Sequence, residues 1–238
     1  MLKIRRIVSA WALAALVATP AFAFDLNKSI SIGDGEKTDG RSTVNGSIAV
    51  GEDSEVDGTL STVNGTIRID QNSRVEDVET VNGSIRIDSG VTTEDLESVN
   101  VSVRLAENVT VDGEVSVVNG KITLDRGTSV AGGVSNVNGE ISLTAAEVGG
   151  DLETVNGDVS LLSGSILGGD LVIEEPGGMG WFRDKRKPRV VIGENSKVIG
   201  TIKLEREVEL FISESAEVGG VSGEMSMDDA VRFKGDRP

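Results

Sequence analysis

The chain carries 39 Asp and Glu residues among 238, with neither His nor Cys, so whatever chemistry its side chains perform is carboxylate chemistry. Without imidazole there is no Ser or Cys triad, and most transition-metal sites lose their commonest ligand. Without thiols there is no disulfide framework and no thiolate catalysis. Two carboxylates flanking a glycosidic bond as acid and base would still work, and so would a calcium ion held by oxygen ligands. The run Gly51-Glu52-Asp53-Ser54-Glu55-Val56-Asp57-Gly58 has a composition that suits calcium, but acidic turn residues account for it more simply. No catalytic residue, metal or cofactor is assigned on this basis.

Two other groups of side chains could recognise rather than react. Residues 177–189 read Gly-Gly-Met-Gly-Trp-Phe-Arg-Asp-Lys-Arg-Lys-Pro-Arg. They place Trp181 and Phe182 beside the cations Arg183, Lys185, Arg186, Lys187 and Arg189. On a chain of formal charge −16, such a segment suits an envelope protein, an anionic glycan or a membrane surface as partner. The alternative is that the aromatic pair folds back and the cations lie over acidic faces of the same molecule. The second group is Asn45, Asn64, Asn82, Asn100, Asn119, Asn138 and Asn156, recurring every 18 or 19 residues. An amide both donates and accepts, so asparagines stacked one above another form a ladder. A ligand-binding row of amides is the functional alternative.

The elements that position these residues follow from that period. Val-Asn-Gly and its variants recur with a fixed apolar-polar-apolar sequel, as in Val63-Asn64-Gly65-Thr66-Ile67-Arg68-Ile69. Five apolar columns run through the repeats, beginning at Val44, Ile48, Val50, Val56 and Leu60, with Thr93 the polar exception in the fourth. The offset of two in Ile67-Arg68-Ile69 is β-strand alternation, the outer two residues inward and the middle one outward. A period of this length with Val, Ile and Thr in the strands predicts an all-β, single-domain parallel β-helix of about nine coils. At about 4.8 Å per coil it would be a rod of about 43 Å. All variation between 18 and 19 residues falls between the third and fifth columns, where a turn can absorb it. The glycine after each asparagine implies either positive φ or a crowded corner, and Val101 interrupts that column. The outward Arg68, Arg86 and Arg104 form a cationic column, with Asp70 and Asp88 as its compensation.

Residues 1–23 read as a signal peptide: basic Lys3, Arg5 and Arg6, an apolar run Ile7 to Val17, and the small-residue exit Ala21-Phe22-Ala23. Its removal would leave a chain near −19 without a lipid anchor or a transmembrane helix, and a periplasmic location is expected. The negative charge disfavours nucleic acid as partner. The solenoid is expected over 24–221, with 24–41 an irregular first coil, 172–190 containing a projecting loop, and 222–238 a cap or tail. End-to-end stacking of the rods is one route to a homo-oligomer.

The repeated Val-Asn-Gly-x-Ile-x-Ile phrase, with turns such as Val56-Asp57-Gly58-Thr59-Leu60 and Val198-Ile199-Gly200-Thr201-Ile202, resembles the secreted adhesin-like β-solenoids of unknown function. More distantly the chain is similar to the bactofilins, which form polymers. The resemblance covers about residues 42–221 and implies a right-handed helix. Left-handed hexapeptide winding is the rival, because Val44, Val50 and Val56 are spaced by six. The expected function is a non-catalytic scaffold or adhesin-like interaction protein of the cell envelope. The alternatives are a carbohydrate-active β-helix using surface carboxylates and a surface-binding module using the Trp181 segment.

Overall fold

The computed structural model describes residues 24–25, 27–177 and 186–238, of which 24 and 25 are described by their backbone alone. Residues 1–23, read from the sequence as a signal peptide, therefore lie outside it, as do Trp181, Phe182, Arg183 and Lys185. Among the described residues twenty-seven strands follow one another with one short 3₁₀ turn, Met227–Asp229. They pair in parallel, each with its counterpart one coil earlier and one coil later except at the two ends of the stack. Thr110–Val111 pairs with Thr92–Thr93 and with Ser129–Val130. Ile122–Leu124 pairs with 103–105 and with 141–143. Three faces result: an Ile-x-Ile face, a short turn face, and a third face containing Leu60, Val78 and Leu96. In coils two to four the strands run unbroken through the asparagine corner, as Glu55–Ile69, Val78–Ile87 and Leu96–Leu105.

Four of the five apolar columns form the core. Ile48, Ile67, Ile85, Ile122 and Ile141 are fully buried, as are Val50, Ile69, Leu105 and Leu124, and Leu60, Val78, Leu96 and Val115. Thr93 is buried in the fourth column and donates to the Glu76 carbonyl at 2.6 Å. The first column departs from expectation. Val44, Val63, Val81, Val99, Val118 and Val137 are only half-buried, and Val155 alone is enclosed. The residue before each valine points inward instead: Thr43, Thr62, Thr80, Ser98, Val117, Asn136 and Thr154 are all buried. Strand alternation counted from Leu60 requires this, since Thr62 lies two residues on and Val63 three. The valines thus form an outward ridge beside the asparagines.

Crowding explains the glycine at the corner. A Cβ at Gly65, Gly120, Gly139 or Gly157 would strike the backbone carbonyl of the equivalent residue one coil earlier. Among these only Gly139 is left-handed, at φ 127°. Val101 is accommodated because it lies in an extended strand and turns its side chain into the core, where it is 2% exposed. Left-handed residues fall instead in the turn after each Ile-x-Ile strand: Asp53, Asn72, Gly90, Asn108, Gly127 and Asn195, types that tolerate positive φ. Ala145, at φ 48° in the coil whose turn is one residue shorter, and Ser163, at φ 56° in the next coil, are the exceptions.

The stack makes about ten turns rather than nine, because Val231–Phe233 adds a further rung on Phe211–Ser213. Residues 222–238 are a cap. Met225, Met227 and Ala230 pack against the end of the core, Ser226 and Asp229 close a capping box, and the Asp236 carboxylate accepts from the Ser163 amide and hydroxyl at 2.7 and 2.8 Å.

Candidate functional site

The corner between the third face and the Ile-x-Ile face carries the asparagines, and it is a continuous ladder. Each Nδ2 donates to the Oδ1 one coil earlier: Asn64 to Asn45 at 2.8 Å, Asn82 to Asn64 at 3.1 Å, Asn100 to Asn82 at 3.1 Å. Asn119, Asn138 and Asn156 continue it at 3.0, 2.7 and 2.9 Å. Asn45 donates to Asn27 at 2.7 Å, an eighth rung. At the far end Arg206 Nη1 donates to the Asn156 Oδ1 at 3.0 Å. The amides lie on the exposed surface from Asn27 to Asn138, and from Asn45 onward each commits one of its two N–H groups to its neighbour, so the row is braced by itself.

The base of the insertion lies where the ladder ends. Residues 173 and 189 belong to regular strands, Leu171–Ile173 and Arg189–Ile192. Around the base the cations fold onto the stack. Arg186 pairs with Asp158, and Lys187 with Glu207 at 2.6 Å, which holds the Glu207 carboxyl below its ordinary range. The Arg189 amide donates to Asp158 at 2.8 Å, while its guanidinium lies 4.7 Å from the Phe211 ring centroid. Arg206 Nη2 donates to the Arg186 carbonyl at 2.8 Å. Arg186 and Lys187 therefore lie over acidic residues of the stack, and the Arg189 guanidinium over an aromatic ring. The remainder of the segment is outside the described residues.

The carboxylates divide into paired and unpaired groups. Arg68 joins Asp70 at 2.5 Å and Asp88 at 2.9 Å, and Arg104 joins Asp125 at 2.8 Å. In the run at 51–58, Glu55 and Asp57 both reach Lys37, at 2.9 and 3.3 Å. Among the described residues no carboxylate cluster has the arrangement of a metal site. On the third face, Asp77, Glu79, Asp95, Glu97 and Glu114 make no ion pair with any described residue. Burial, with Glu97 and Asp77 beside it, raises the Glu79 carboxyl above its ordinary range. Burial and the charges of Asp95, Asp77 and Glu114 do the same to Glu97. A depression of about 290 Å³ lies between Asp95, Glu97, Glu114 and Ser116. This crowding favours proton retention on a carboxyl, while none of the residues lining it supplies a cation or an imidazole.

Sequence reasoning missed Asn27, Arg206 and the unpaired acidic row. Asn27 had a signal, lying 18 residues before Asn45. Arg206 had none, because the insertion breaks the period between it and Asn156. The acidic row is interrupted by Gly133 and Ser135 in later coils, so no strict repeat marks it. No family model matches the chain, and no curated protein or solved structure matches it either.

Proposed function

We propose that the protein is an exported, non-catalytic β-solenoid of the cell envelope, acting as a scaffold or adhesin-like interaction protein in the manner of the secreted solenoids it resembles. The observation carrying this reading is the anchored base of the insertion. Arg186, Lys187, Arg189 and Arg206 tie one side of it to the stack, and on the other side the Glu174 amide donates to the Thr154 carbonyl at 2.8 Å. A rigid rod with one non-repeating segment held at both ends is a mount for that segment. The asparagine ladder of the repeat is hydrogen-bonded within itself.

Export is supported by the basic, apolar and small-residue pattern of residues 1–23. No helix among the described residues is long and apolar enough to cross a membrane. The adjacent, crowded Glu79 and Glu97 favour the carbohydrate-active alternative, as a carboxyl pair of which one member keeps its proton.

Replacing Trp181 and Phe182 by Ala tests the proposal, with thermal stability and co-sedimentation with envelope fractions measured separately. The expected result is unchanged stability and loss of most envelope association. Reduced stability with association intact would reject the docking role.

A further inference from the structure

The two ends of the solenoid differ. At the C-terminal end the chain covers its own core with Met225, Met227 and Ala230, and adds the rung Val231–Phe233. At the N-terminal end, among the described residues, Ile30–Ile32 pairs with Ile48–Val50 alone. The Ile30 amide bonds to Ser47 at 2.8 Å, and the Ile32 carbonyl accepts from Gly51 at 2.9 Å. In a parallel ladder these groups alternate, so the Ser31 N–H and C=O point the other way, toward the open end. An edge of this kind templates further strand pairing.

From this asymmetry we infer that a second copy of the chain covers the open edge, Ile30–Ile32 pairing antiparallel with Ile30–Ile32 of the other copy about a two-fold axis at Ser31. The local sequence is self-complementary in that register. Ser31 opposes Ser31 and exchanges two hydrogen bonds, while half-exposed Ile30 meets Ile32. Lys28 comes opposite Asp34, twice by symmetry. Both are exposed and neither has an ion-pair partner among the described residues of its own chain. Asp34 already uses Oδ1 to accept from the Glu52 amide at 3.1 Å, which leaves Oδ2 for the lysine. The strand Val231–Phe233 is also paired on one side only, but a two-fold pairing there would set Arg232 opposite Arg232, and like charges directly opposite are destabilising, so the assembly closes at two copies. This specifies the end-to-end stacking expected from the sequence, and its failure would leave the envelope-association test of the insertion untouched.

A hydrogen-bonded antiparallel pair holds its Cα atoms about 5.5 Å apart, within the range a disulfide spans. The chain has no cysteine, so Ser31→Cys introduces the only thiol. The purified Ser31→Cys protein should oxidise to a covalent dimer on a non-reducing gel, whereas Ala49→Cys, exposed in the same column one coil inward, should remain monomeric. Sedimentation of the unmodified protein should give a monomer–dimer equilibrium without larger species. Lys28→Glu and Asp34→Lys should each weaken dimerisation about fivefold, and the double exchange should restore it. A monomer at every concentration, with the thiol of the Ser31→Cys protein free and reactive, would overturn the inference. So would a thiol at that position shielded within a monomer, which would place residues 1–23 over the edge, and so would open-ended polymers.

Discussion

Thr62 and Thr80 occupy the same interior column one coil apart, but only one of them is hydrogen-bonded. The Thr62 hydroxyl donates to the Gly46 carbonyl at 2.9 Å, and Asn136 fills the same role toward Gly120 at 2.8 Å. The hydroxyls of Thr80 and Ser98 are buried without a partner. A buried polar group left unpaired costs about 1–3 kcal/mol. Val117 shows that this column accepts valine, which matches threonine in shape. Thr80→Val should therefore raise stability by about 1 kcal/mol and Thr62→Val should lower it by about 1 kcal/mol, read from urea denaturation midpoints. Changes of the same sign in both would mean that volume, not hydrogen bonding, decides the choice at this position.

At the scale of strands, the Ile-x-Ile face was legible because identical residues recur at fixed offsets, and the Asn column was legible for the same reason. The phase of the third face was not. Hydrophobicity singled out Val63 and Val81, whereas alternation from Leu60 and Val78 places Thr62 and Thr80 inside. A conspicuous valine beside a conspicuous asparagine obscured the period of two. That phase sets Glu79 and Glu97 outward and opposite each other on adjacent strands. Asp77, Asp95 and Glu114 face the pair, with Ser61 and Ser116 on the flanking strands, and no cation among them. A carboxyl held higher in the folded state than in the unfolded chain contributes stability below the ordinary glutamate value, about 4.3, and that contribution is lost as pH rises through the raised folded values. Glu79→Gln should therefore be more stable than the wild type at pH 7, and the difference should shrink to nothing as pH falls toward about 4. Melting temperatures of the two proteins across that range decide it, an unchanged gap at both ends counting against crowding of the pair.

For the molecule as a whole, stacked coils touch only their neighbours, so stability is a sum of local interfaces and each end can open without the other. The period made the number of coils legible to within one. The cap was legible only as one of two readings of 222–238, because Met225 and Met227 belong to no repeat and the Asp236 clasp acts across 73 residues of sequence from Ser163. Asp236 accepts two hydrogen bonds there while partly open to water, so its loss should weaken the cap by about 1–2 kcal/mol. In Asp236→Ala, amide exchange should accelerate about tenfold in Val231–Phe233 and Glu209–Ser213. The coils from 60 to 124 and the edge strand Ile30–Ile32 should keep their protection. Acceleration of similar size throughout the chain would show that the solenoid opens as one cooperative unit, and the C-terminal cap would then stabilise the whole rod rather than its last turns.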